Sequence, residues 1–405
     1  MGRSFLPAPL LLGIVTSVTL AAGVAGCRVY DPALVGSNMD AGRDAPPAEC
    51  DARVAPPRPT MADTADGPDI AFGMREVLLD QGAEWENIGL DIDDYCTVPG
   101  SLVGECTSGG PIQRDGLQAI DNVFGSDLYP LVASAVPDLE MRARAAQNEG
   151  RGLPILYVRG WNGTPNDPRI DIAIVQSVFS TSIDGATPDV PPEVVIRSPI
   201  DYELASGGDV PLPVWDGDDW AWVRDDAFLA GDFDQPLIRD DNAYVADGVF
   251  VARLPDRIDI IFPTDDVGVL VRLTGATALG ELSADGINME TVTVAGRWSV
   301  TDLLSTAENI GICRGSGQYT LLSGQLDRIA DVRSMPPPRG EPGLSCNAVS
   351  IGVTFHGTRM RIAPENITPG LPLVNICATD GGLPSDAGPG GSDAGPPDAG
   401  VLDAP

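Results

Sequence analysis

The chain has 405 residues, 43% of them apolar and 20% charged, and sets 58 acidic side chains against 25 basic ones for a formal net charge of −33. That length supports one large domain or two ordinary ones with a sizeable core, and that charge repels nucleic acid and other polyanions at long range. Lys is absent and His356 is the single histidine. A Walker A loop, Schiff-base chemistry and zinc sites built on paired imidazoles are therefore excluded, and the sequence contains no GxSxG nucleophile elbow.

Residues 1–26 read as an export signal: Arg3 supplies the positive end, residues 10–22 are almost wholly apolar, and small residues follow. The segment closes on Val24-Ala25-Gly26-Cys27, which resembles the lipobox of bacterial lipoproteins. The resemblance implies a diacylglyceryl group on the Cys27 thiol, cleavage just before it, and attachment to a membrane through that lipid. Position 28 is Arg, not the Asp that favours inner-membrane retention in that family, which points to the outer membrane or the cell surface. No later stretch reaches the roughly 18 apolar residues of a membrane span. Residues 27–65, dominated by Ala, Pro, Asp, Arg and Gly, predict a disordered tether.

Residues 66–378 form the expected folded body, one domain or two with a break near 186–210. Its first feature is an acidic loop. Asp91, Asp93 and Asp121, helped by backbone carbonyls, predict a loose calcium site, since calcium accepts flexible oxygen shells. It is not an EF-hand: counted from Asp91, the fifth position is Tyr95, the sixth Cys96 and the twelfth Leu102. The competing reading is that these Asp residues build turns through their own backbone. Gly89-Leu90-Asp91-Ile92-Asp93 and Ile120-Asp121-Asn122-Val123-Phe124-Gly125 are similar to segments of exported lipoproteins of myxobacterium-like bacteria, a resemblance that implies no activity.

With Cys27 set aside, Cys50, Cys96, Cys106, Cys313, Cys346 and Cys377 remain, an even set in an exported chain that reads as disulfides. Fifteen connectivities are open; the preferred one joins Cys96 to Cys106, Cys313 to Cys346 and Cys50 to Cys377.

Further along, Pro137-Asp138 opens a helix predicted over 137–148. Apolar residues at period two predict strands at 155–158, 172–178, 194–196, 258–262, 267–273 and 291–298. Asp247-Gly248 sits between apolar alternations as a two-residue hairpin turn, and His356-Gly357 is read the same way, which leaves the histidine no chemical role. Residues 302–309 and 319–332 predict a helical pair. Many short strands with few crossover helices favour a mainly β fold, an antiparallel sandwich of jelly-roll type with helical insertions.

Residues 201–247 hold twelve Asp and several aromatics. Here Trp215, Asp216, Asp218, Asp219 and Trp220 are the candidate ligand site, because carboxylates beside flat rings suit a calcium-dependent sugar site. Core packing of the rings and Asp-built turns are the competing explanation. Residues 379–405 repeat Ser-Asp-Ala-Gly-Pro and predict a disordered acidic tail.

Three functions fit these readings. The preferred one is a lipid-anchored envelope protein with a binding or structural role, recognising a glycan or surface protein with calcium. A glycan hydrolase working through two carboxylates is the enzymatic alternative, and a passive envelope component is the third. No catalytic residue is assigned.

Overall fold

The computed structural model describes residues 51–61, 66–98, 101, 104–183, 203, 207–263, 268–283, 288–335, 343–363 and 377. All of them belong to the unit Cys50–Pro405. Cys27, Cys50, the expected strand at 194–196, most of the expected break at 186–210 and the tail lie outside the described residues.

Ten strands are described: β1 (Ile70–Leu78), β2 (Pro154–Arg159), β3 (Asp167–Thr181), β4 (Trp220–Val223), β5 (Ile238–Ala246), β6 (Val249–Arg253), β7 (Arg257–Pro263), β8 (Gly268–Leu282), β9 (Asn288–Ser299) and β10 (Ala348–Ile362). Four helices accompany them: α1 (Tyr129–Ala135), α2 (Leu139–Asn148), α3 (Val300–Asn309) and α4 (Gly317–Ile329). The β class is as expected, but the sheet is not a sandwich. Strands β1, β2, β3, β5, β6, β8, β9 and β10 each pair antiparallel with the next, and β10 returns to pair with β1, Ala71 facing Met360 and Arg75 facing His356. The result is a closed eight-stranded barrel of neighbour-to-neighbour connections. Strand β7 adds to β8, and β4 bridges the ends of β3 and β10. A jelly roll needs long connections between its strands, whereas here chain neighbours pair and the two ends of the series meet.

Alternation fixes which side chains fill the barrel. Phe72, Leu156 and Ile174 follow one another across β1, β2 and β3, and Val245, Phe250, Val292 and Phe355 belong to the same buried core from the other strands. Each such side chain contributes about 1.5–3 kcal/mol of burial. Outward-facing apolar residues are covered too: Ala71, Ile155, Val175 and Met360 pack beneath Ala221, Val223 and Phe228. The Asp247-Gly248 hairpin is present, with φ of 51° and 86°, the left-handed values such a turn requires. Helices α3 and α4 are N-capped by Ser299 and Ser316, whose hydroxyls accept from the Asp302 and Tyr319 backbone N–H groups.

Several expectations need correction. The expected hairpin at His356-Gly357 does not exist: β10 runs unbroken through both residues, with an irregularity of register between Phe355 and Gly357. Gly357 is there for space, because a Cβ would lie 3.0 Å from Met289 Cβ. The disulfides are Cys106–Cys346 and Cys313–Cys377, not the pairs preferred from spacing. Cys96 is disulfide-bonded as well. Strand β1 goes unread in the sequence because Gly73 and Arg75-Glu76 interrupt its alternation. Residues 51–61, assigned by composition to a tether, lie against the body: Asp91 N–H donates to Arg53 O at 3.0 Å, and the Arg58 guanidinium stacks on Tyr244 at 4.5 Å.

Candidate functional site

The expected calcium ligands come together. Asp91 and Asp93 lie on the loop after Leu90, and Asp121 pairs with Leu90 in a short antiparallel bridge. Carboxylate oxygens of all three lie within 4.8 Å of one another, the one such group among the described residues. Local hydrogen bonding sets the loop: Ile92 and Asp93 N–H donate to Asp121 Oδ2 at 2.7 and 3.2 Å, Asp94 N–H to Asp91 Oδ1 at 2.8 Å, and Tyr95 N–H to Asp93 Oδ1 at 2.8 Å. Turn-building and convergence, alternatives in the sequence, occur here together.

The barrel anchors this loop through Asn122. Its amide oxygen accepts from the N–H of Gly352 in β10 at 3.0 Å and of Gly125 at 3.1 Å, while its Nδ2 donates to Gln81 Oε1 at 2.6 Å. Gly352 is required for that approach, since a Cβ there would sit 2.5 Å from Ile88 O.

Two further carboxylates, unsuspected from sequence, complete the group. Asp115 accepts from Thr97 N–H at 2.5 Å, and Asp331 accepts from Ser350 N–H at 2.8 Å. Asp93, Asp115, Asp121 and Asp331 line one small cavity of about 20 Å³, bordered by the Cys106–Cys346 disulfide. That volume suits a single water molecule or ion. A pyranose does not fit it, and Asp121 is only 4% exposed, so this cluster is not the open carboxylate pair of a glycan hydrolase.

Crowding and burial raise the proton affinity throughout. Burial pushes Asp93 up to about 8, against the opposing Tyr95 N–H and helped by the charges of Asp115, Glu105 and Asp331. Burial likewise takes Asp331 to about 7, opposed by Ser350, and Asp115 to about 6, opposed by Thr97. Asp121 is raised well above 3.8 by burial and then by Asp93, Asp331 and Asp115; Asp91 is raised by burial. The adjacent guanidinium of Arg297 is already engaged by Glu105 at 2.6 Å. Such a site either keeps protons or takes a cation. Oxygen donors with no nitrogen or sulfur suit a hard divalent ion.

The second expected site is differently built. Asp219 accepts from Val214 and Trp215 N–H at 3.0 and 2.6 Å, and Asp216 accepts from Asp218 N–H at 3.0 Å. Asp218 pairs with Arg361, whose guanidinium stands 5.5 Å from the Trp220 ring. Trp215 lies beside the Arg75 guanidinium at 5.0 Å and donates to Asn148 O. These carboxylates hold turns, and their rings carry intramolecular cations. The neighbouring Trp222 is buried and stacks on Phe179 at 4.8 Å. Among the described residues no helix is long and apolar enough to cross a membrane.

Compared with protein-family models, curated proteins and solved structures, the chain matches none, so function is read from the site itself.

Proposed function

We propose that the protein is a lipid-anchored component of the cell envelope with a binding rather than catalytic role, whose barrel holds one calcium ion. The observation that carries the cation is the convergence of Asp91, Asp93 and Asp121 within 4.8 Å, with Asp115 and Asp331 lining the same cavity as Asp93 and Asp121. Calcium is favoured over magnesium because it accepts irregular carboxylate and carbonyl shells, whereas magnesium demands octahedral geometry and keeps its water. The ion fixes the loop after Leu90 against the segment at Asp121, Asn122 and β10.

Anchoring rests on Arg3, the apolar run and Val24-Ala25-Gly26-Cys27. Disulfides at Cys106–Cys346 and Cys313–Cys377 suit an oxidising compartment outside the cytosol. Outer-membrane or surface display is the location proposed, through Arg28.

Two measurements test the reading. Isothermal titration of the mature protein with calcium chloride at pH 8 gives one ion bound per chain, with magnesium binding far more weakly; absence of calcium binding refutes the cation. Mass spectrometry of the amino-terminal peptide gives a diacylglyceryl mass on Cys27; an unmodified thiol refutes the anchor.

A further inference from the structure

Where the inward-facing side chains of β8, β9 and β10 meet the helices, the structure holds a second cavity, of about 470 Å³. It shares no lining residue with the carboxylate cavity and stands independently of it. Val271, Val294 and Val353 line it from the strands, and Leu128, Val132, Leu303 and Leu326 from the helical segments. Among the described residues that line it, none is charged. Its size falls in the roughly 300–1,000 Å³ range of small-molecule sites. In a chain with 58 acidic side chains, a lining free of charge selects strongly against charged or sugar-like ligands.

One feature narrows the occupant further. The lining includes two leucines that are exposed to solvent, Leu321 at 65% and Leu131 at 37%. They give the cavity an apolar edge open to solvent, where a hydrocarbon chain can enter.

We propose that this cavity binds the long acyl chain of a lipid, whose methylenes need no charged or hydrogen-bonding partner along the lining. A charged headgroup finds no cation in the lining and stays at the mouth, in water.

The test is fluorescence titration of the full mature chain with cis-parinaric acid, followed by displacement with palmitate or with a palmitoyl lysophospholipid. Saturable micromolar binding is expected. Displacement by palmitate alone identifies free fatty acid as the ligand source, and displacement by the lysophospholipid identifies a membrane lipid. Ala307→Trp, which fills the cavity from α3, abolishes binding while the melting temperature is retained. If that variant does not fold, Leu321→Asp and Leu131→Asp at the exposed entrance decide the matter, each weakening binding roughly tenfold. The proposal is overturned if the wild-type chain does not bind the probe saturably, if neither lipid displaces it, or if these variants bind it as the wild type does.

Discussion

Arg297 and Glu105 form a 2.6 Å ion pair in which the side chains are 3% and 4% exposed, the most buried pair among the described residues. The same guanidinium donates to Arg333 O at 2.8 Å and to Ile92 O, so it ties β9 to both the acidic loop and the segment before β10. Its closest carboxylate is that of Glu105, and among the described residues no ion pair is found for Asp91, Asp93, Asp115, Asp121 or Asp331.

Breaking that pair on one side strands a buried charge. Arg297→Met is expected to lower stability by about 3–5 kcal/mol, read as a reduced urea midpoint. An unchanged midpoint would mean that the pair is solvated in solution.

The metal-free protein has a defined pH response. Folded Asp115, Asp331 and Asp93 hold their protons up to about pH 6, 7 and 8, against an ordinary value of 3.8. Between the ordinary value and these raised ones the folded state binds more protons than the unfolded chain, so stability must fall as pH rises. Melting in chelator is therefore expected to drop by several degrees from pH 5 to pH 8. A rise across that interval would contradict the raised proton affinities.

Connectivity is checked by peptide mapping without reduction, which should recover Cys106 linked to Cys346 and Cys313 linked to Cys377. The first closes a separation of 240 residues. Replacing both Cys106 and Cys346 with Ser is expected to cost about 2–5 kcal/mol and to loosen the carboxylate cavity that the bridge borders.

Gly352→Ala probes how the loop is seated. Its Cβ would meet Ile88 O at 2.5 Å, and such overpacking costs about 1–3 kcal/mol. Because Gly352 N–H also donates to Asn122, calcium affinity should fall with stability. Unaltered affinity would show that the seating of Asn122 does not position Asp121.

What the sequence reveals here follows how local each signal is. The Asp247-Gly248 turn was readable because its chemistry sits in two adjacent residues, and α2 because its start signal, Pro137-Asp138, adjoins its apolar positions. His356-Gly357 misled for the same reason in reverse: Gly357 answers to Met289 on another strand, not to a turn. Closure of the barrel depends on Ala71 meeting Met360, and the disulfides on partners far apart in the chain, neither of which a local pattern encodes. The candidate site divides in the same way. Asp91, Asp93 and Asp121 stood out by spacing and type, whereas Asp115 and Asp331 join only through folding, tied by Thr97 and Ser350. Among the Trp215–Trp220 residues, Asp216 and Asp219 serve as turn builders, a use that composition alone does not separate from ligand binding.

The cation is tested most directly by melting the wild-type protein and Asp121→Asn at pH 8, each in calcium and in chelator. An ion bound only to the folded state raises its stability, so calcium should raise the wild-type melting temperature by several degrees. Asn at position 121 can still accept from Ile92 and Asp93 N–H while removing a crowded negative charge. The variant should therefore melt no lower than the wild type in chelator and gain nothing from calcium. A wild-type melting temperature indifferent to millimolar calcium, or a variant that responds as fully as the wild type, would contradict the account.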